Sequence, residues 1–347
     1  MPLLVARLRE HPGEAPAAQL LGQCHFDRKE YTEAAAALKQ AAAATPKSAE
    51  VRFYLGSALG LAGRAPEAIE QLQEATRLDP AFAPAFRVLG MFQFQNGHLG
   101  PKTREALETA VRLDPEDARA AYWLGSYFFE MKDFAKARSQ FERALALTPD
   151  SQQARLAYGR TLLSLGETER ALEAFDAVLR TEPDSGPALL GRAKCLYAGQ
   201  KPLPALAAAE EALHGVTDAA FERDGLWVLA RIYRELGRTA EMQRAERRLA
   251  ELDAARERRE AKLEELQMLA SKLHAEHDLP GVIRTLEESL AIQERQDSLV
   301  MLGDAYMATG RVAEAERCFL RAVQAGPEWA EASRRLELLR KRYGSKQ

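Results

Sequence analysis

Five prolines set the strongest constraint on what this chain can fold into: Pro46, Pro80, Pro115, Pro149 and Pro183 follow one another at spacings of 34, 35, 34 and 34 residues. Proline lacks an N–H and restricts the residue before it, so each one marks the end of a helix. The segments that stop there read AAAATP, ATRLDP, AVRLDP, ALALTP and VLRTEP. A fixed period in the thirties is the signature of stacked supersecondary units, none of which buries its apolar face alone. Between the prolines, apolar residues recur at steps of three and four, and alanine is abundant, so nearly the whole chain reads as helix.

Within each period the side chains alternate in size in a regular way. A small residue precedes a large one by four in Ala34 and Leu38, Ala68 and Leu72, Ala137 and Phe141, and Ala171 and Phe175. Further upstream comes Leu-Gly or a variant of it, at Leu21-Gly22, Leu55-Gly56, Leu89-Gly90, Leu124-Gly125 and Tyr158-Gly159. Each unit is therefore expected to be a helical hairpin. Its turns fall at Ala62-Gly63-Arg64, Met131-Lys132-Asp133 and Leu165-Gly166-Glu167. The expected packing sets glycine or alanine of the first helix against alanine of the second, because small side chains let two axes approach closely. Phe128, Phe141 and Leu145 are then expected to fill the layer between one hairpin and the next.

This pattern, W-x2-L-G-x2-Y followed by A-x3-F and then P on a 34-residue period, resembles the tetratricopeptide repeat. The fullest match is Leu302-Gly303, Tyr306, Gly310, Ala315, Phe319, Ala322 and Pro327. The resemblance implies an all-α, right-handed α-solenoid of stacked helix-turn-helix hairpins. The sequence departs from the pattern in three places. The leading tryptophan is mostly replaced, as by Phe86; Asn96 to Thr103 carries an extra turn residue; and Ala193 and Ala230 occupy the glycine slot in two weak repeats without a terminal proline. Nine units follow, at 15–48, 49–82, 83–117, 118–151, 152–185, 186–222, 223–256, 263–296 and 296–329. Residues 3–12 resemble the second helix of a truncated preceding repeat, which keeps open a longer parent chain, and 328–342 reads as a charged capping helix.

One stretch breaks the period. From Ala240 to His277 there is neither glycine nor proline, so one helix of about 35 residues is expected to run from one repeat into the next. Leu249, Leu252, Leu263, Leu266, Leu269 and Leu273 lie on helical spacing towards its ends, while Arg256 and Arg259 occupy the same stripe at the centre. This divides the chain in order into an N-terminal array over 1–252, an exposed helical spacer over 253–262, and a C-terminal block over 263–347. The charged helix reads as a spacer, with an antiparallel coiled coil joining two copies as the alternative.

Chemistry is sparse. No glycine-rich phosphate loop, His-Glu-x-x-His, Gly-x-Ser-x-Gly or Cys-x-x-Cys occurs. His274 with His277, and Cys24 with His25, lack a third partner in sequence reach, so no metal and no cofactor is expected. Cys24, Cys195 and Cys318 are too scattered for a disulfide framework. A net charge of −3 gives no global pull towards nucleic acid or acidic lipid, and the absence of a long apolar run predicts no membrane span. A cytoplasmic, non-enzymatic protein is the expectation.

Function then falls to the surface. The repeat resemblance implies that first helices line a concave groove, and the equivalent positions give a candidate peptide-binding set: Phe53, Arg87, Met91, Phe94, Tyr122, Ser126, Phe129, Arg160, Lys194, Tyr197, Trp227 and Arg231. Gln19, Gln23, Phe26, Ser57, Leu156, Leu190 and Arg234 stand at matching positions. The set is aromatic and basic, which suits a protein segment with hydrophobic and acidic groups. The lysine-and-asparagine clamp used by chaperone-tail-binding relatives is missing, because its slots hold Phe53 and Ser57, or Tyr122 and Ser126. The expected role is a scaffold or adaptor. Its rivals are a docking region of a larger enzyme and a self-assembling protein.

Overall fold

The computed structural model describes residues 2–11, 13–325 and 330–343, and among these it forms nineteen helices. Pro12, the repeat-terminal Pro327 and residues 328 and 329 of the expected capping helix lie outside the described residues. After α1 (Pro2–Glu10) come α2 (Ala15–Asp27), α3 (Tyr31–Ala44), α4 (Ala49–Leu61), α5 (Ala65–Leu78), α6 (Ala83–Gln95) and α7 (Pro101–Leu113). Next are α8 (Ala118–Glu130), α9 (Phe134–Leu147), α10 (Gln152–Ser164), α11 (Thr168–Leu179), α12 (Gly186–Ala198), α13 (Pro202–Ala212) and α14 (Ala219–Glu235). The chain ends with α15 (Thr239–Ala275), α16 (Leu279–Ile292), α17 (Gln296–Ala308), α18 (Val312–Ala325) and α19 (Ala330–Tyr343). The five periodic prolines each fall just beyond the end of a second helix, namely α3, α5, α7, α9 and α11.

Side-chain oxygens fix several helix starts. Ser48 Oγ accepts from Val51 N–H at 3.3 Å, and Asp117 Oδ1 accepts from Arg119 N–H at 2.9 Å, which satisfies donors that the helix cannot. The turns inside the hairpins need one residue in the left-handed region. Glycine fills it at Gly166, with φ of +79°, whereas Lys132 fills it at +60° and carries a side chain there.

The packing corrects one expectation. Gly22, Gly125, Gly159 and Gly303 face the large residue of the second helix rather than alanine, while Gly56 approaches both Leu72 and the Ala68 backbone carbonyl. A Cβ on Gly125 would stand 2.9 Å from Phe141, one on Gly56 2.7 Å from Leu72, and one on Gly303 2.4 Å from Phe319. The large residue, fully buried, lies across its own hairpin and uses the space that glycine leaves. Phe175 does this twice, filling the gap over Gly159 in its own hairpin and over Gly191 in the next. Leu145 lies between hairpins as expected, packed with Ala144 and Ala154.

The helices group into two compact units, Met1–Ala106 with Arg259–Gln347, and Leu107–Arg258. In the first unit, one core joins Leu38, Leu55, Leu72, Leu89 and Phe92, and another joins Ala270, Leu286, Leu302, Phe319, Leu336 and Leu339. α19 places Ala332, Leu336 and Leu339 against the last hairpin, pairs Arg335 with Asp304 of α17 at 3.3 Å, and leaves Arg334, Arg340 and Arg342 exposed. α18 also touches α5, where Ile69 and Val323 are both buried and line a cavity of about 490 Å³. In the second unit the core runs through Phe141, Phe175, Val178, Leu189, Leu206, Val228 and Ile232.

α15 is one continuous helix of 37 residues. Ala245, Leu263, Leu266 and Ala270 are buried, while every residue from 255 to 261 is exposed. No helix among the described residues is long and apolar enough to cross a membrane.

Candidate functional site

Within each unit the first helices of successive hairpins lie side by side: α2, α4 and α6 in the first, and α8, α10, α12 and α14 in the second. Residues four and three apart on such a helix share one face. That spacing places Tyr122, Ser126 and Phe129 together on α8, Lys194 and Tyr197 on α12, and Trp227 and Arg231 on α14.

In the first unit the candidate residues are largely taken up by packing. Phe53 is half-buried against the core, and its ring meets Tyr54 at 5.3 Å and Phe82 at 5.1 Å. Met91 packs on the same core, Phe94 is half-buried, and Arg87 is only 9% exposed. Arg87 is thus not presented to solvent as its position suggested.

The second unit keeps more of its face open. Tyr122 is half-buried and leans on Trp123 and Phe141 at 5.1 and 5.9 Å, and Ser126 Oγ donates to the Tyr122 carbonyl at 3.0 Å. Arg160 is exposed and sets its guanidinium over the Phe129 ring, 5.1 Å from the centroid. Lys194 Nζ is held by Asp224 at 2.7 Å. Arg231 is exposed and stacks on two rings, Trp227 at 4.6 Å and Tyr197 at 5.2 Å. Trp227 is itself 53% exposed, the largest aromatic side chain open on this face.

The sequence alone missed Asp224. It stands 30 residues beyond Lys194, near the start of the next first helix, and repeat register could have found it, since equivalent turns of adjacent first helices face each other.

The buried thiols are shifted away from reactivity. Burial pushes the Cys195 thiol up to about 12 and Cys318 up to about 11, the opposite of what a nucleophile needs. Burial also raises the Tyr233 phenol to about 12, and its hydroxyl donates to Glu210 at 2.7 Å. His25 hydrogen-bonds Glu30 at 2.6 Å, and His277 sits in a turn with φ of +64°. Among the described residues, no group of three or more His, Cys, Asp or Glu side chains could hold a metal ion.

Comparisons with known proteins agree with the repeated hairpins. The family model for the tetratricopeptide repeat protein 21 N-terminal ARM repeat matches residues 24–217, more than half of the chain, and a tetratricopeptide repeat model matches residues 300–336. The chain belongs to this tetratricopeptide-repeat family. Its architecture is an all-α solenoid, and such repeats serve in general as protein-interaction scaffolds without catalysis of their own. The repeat protein is similar to a solved tetratricopeptide repeat protein from Parabacteroides merdae, at 14% identity over 94% of this chain and 98% of that one, with a TM-score of 0.49. It is also similar to Pseudomonas aeruginosa pilF (20% identity, 59% of this chain and 91% of that one, TM-score 0.49). YrrB, described as having an unusual peptide-binding site, matches at 21% identity over 54% of this chain and 96% of its own, with a TM-score of 0.48. No curated protein matches the sequence significantly.

Proposed function

We propose that the repeat protein is a non-enzymatic scaffold or adaptor that holds a peptide segment of a partner on its first-helix face, through hydrophobic anchors and acidic groups. The observation that carries this reading is the open aromatic and cationic surface around Tyr197, Trp227 and Arg231. A half-exposed tryptophan gives large contact area at low entropic cost, and an arginine stacked on it is already ordered for binding. The test is calorimetric titration of peptides that combine aromatic or leucine anchors with glutamate. Trp227→Ala should cost about 2 kcal/mol of binding or more, with the melting curve unchanged because the ring lies outside the core. Equal affinity of wild type and variant for every binding peptide would remove this face from the function.

A second reading, self-association through α15, is favoured by Met268 at 69% and Leu269 at 42% exposure. Light scattering over a concentration series decides it, with a constant monomer mass arguing against it.

A further inference from the structure

Three register-equivalent cations stand on the first-helix face of the second unit: Arg160 on α10, Lys194 on α12 and Arg231 on α14, in successive repeats. Their surroundings differ. Lys194 is closed by Asp224 at 2.7 Å. Nearby arginines are closed too: Arg192 by Asp176 at 2.8 Å, Arg223 by Asp253 at 3.6 Å, and Arg234 by Glu246 at 2.9 Å. Arg160 and Arg231 form no ion pair among the described residues. Each is instead laid over an aromatic ring contributed by the preceding repeat, Phe129 under Arg160 and Tyr197 under Arg231, with Trp227 one turn before Arg231 as a second platform.

A ring covers the face of a guanidinium and leaves its N–H edge in the plane, the edge that takes a carboxylate through two parallel hydrogen bonds. Stacking also removes rotamer freedom before the ligand arrives. Resting on the peptide-binding reading above, we propose that Arg160 and Arg231 are two separate carboxylate-reading positions, and that the partner is an extended segment whose glutamate or aspartate side chains fall on alternate repeats, with Lys194 between them held shut by Asp224. The arrangement favours single negative charges over phosphate or a nucleic-acid backbone. Each position offers one guanidinium that forms no ion pair, the neighbouring Lys194 and Arg234 are already taken by Asp224 and Glu246, and Asp224 places a carboxylate between the two.

The test uses the full chain and fluorescence anisotropy with an array of dodecapeptides carrying Glu, Leu and Trp in all arrangements, beside the same array with Gln for Glu and a third with phosphoserine for Glu. The expected result is binding by Glu peptides, with at least about tenfold loss in the Gln array. Arg160→Ala and Arg231→Ala should each weaken the Glu peptides by about tenfold, and Arg231→Lys by several-fold, since lysine keeps the charge and loses the fork. Asp224→Ala should tighten binding by releasing Lys194. Arg180→Ala, an exposed cation at the end of α11, should change nothing. Circular dichroism and melting check that each variant is folded.

If Glu peptides bind and the two arginine variants match wild type, the carboxylate assignment is overturned while peptide binding stands. Weaker binding by Asp224→Ala would equally overturn the closed role of Lys194. Preference for phosphoserine by tenfold or more would overturn the choice of carboxylate. No binding in any array would remove the peptide-binding reading and this inference with it.

Discussion

At Gly125 the absence of a single carbon decides a packing contact, because the Phe141 ring occupies the space where a Cβ would stand. Alanine in place of glycine within a helix is ordinarily worth about 1 kcal/mol in its favour. Here overpacking, at about 1–3 kcal/mol, opposes that gain against a ring that is 1% exposed and has nowhere to move. Gly125→Ala is therefore expected to lower the melting temperature, with faster hydrogen exchange confined to α8, α9 and their neighbours, since α8 and α9 pack on each other and on the adjacent α10. An unchanged melting temperature would show that the ring yields easily. The cysteines give a second residue-scale test. Burial holds the Cys195 and Cys318 thiols well above the usual range, so at pH 8 they stay protonated as well as inaccessible, whereas Cys24 is only half-buried. A thiol reagent should consume Cys24 alone in the native protein and all three cysteines in denaturant. Rapid native labelling of Cys195 would contradict the packing around α12.

The hairpin was legible in the sequence because its signals are local. The periodic prolines, the Leu-Gly pairs and the turn triplets each act within a few residues, and the helices stop where they indicate. The identity of the glycine's partner was not legible, because a repeat pattern gives which positions are small and large but not which of them meet across the hairpin. The same limit applies to the candidate site. Aromatic and basic types at Phe129, Arg160, Tyr197 and Arg231 could be read off, whereas their stacking, and the closure of Lys194 by Asp224, depend on how neighbouring first helices are offset. The turns supply a test at this scale. Lys132 holds a left-handed conformation that costs a side-chain-bearing residue about 1–2 kcal/mol, and the equivalent turn uses Gly166. Lys132→Gly is expected to stabilise the α8–α9 hairpin by about 0.5–1 kcal/mol after allowing for the greater freedom of glycine in the unfolded chain. Chemical denaturation with an unchanged m-value would measure it, and a loss of stability would mean that the Lys132 side chain contributes more than its backbone costs.

A repeat pattern encodes contacts between neighbours, so it carried no sign that α18 touches α5, two helices separated by most of the chain. The long helix is different, because its continuity follows directly from the missing glycine and proline. α15 is secured near its start, where Met242 packs on the core of α12 to α14, and near its end, where Ala270 and Leu273 join the core of α16 to α18. Its centre, 255–261, is exposed throughout. A helix held at its ends and solvated in the middle should tolerate interruption in a way that a packed helix does not. Proline within it removes one hydrogen bond and clashes with the preceding turn, at a cost of about 3 kcal/mol. In Arg259→Pro that cost is met by fraying exposed turns, because the lost hydrogen bond and the clash fall on the exposed residues 255–259, and the first buried side chain, Leu263, lies a turn further on. Hydrogen exchange should then show rapid opening confined to residues 253–262, while amides around Met242 and Ala270 keep their protection and the two anchoring cores melt as separate transitions. Leu266→Ala, only seven residues away but 2% exposed, should instead cost about 2–5 kcal/mol and open the C-terminal core. If Arg259→Pro unfolded the chain in one transition at a much lower temperature, the centre of α15 would have to be part of a packed interface, and its reading as a solvated spacer would fail.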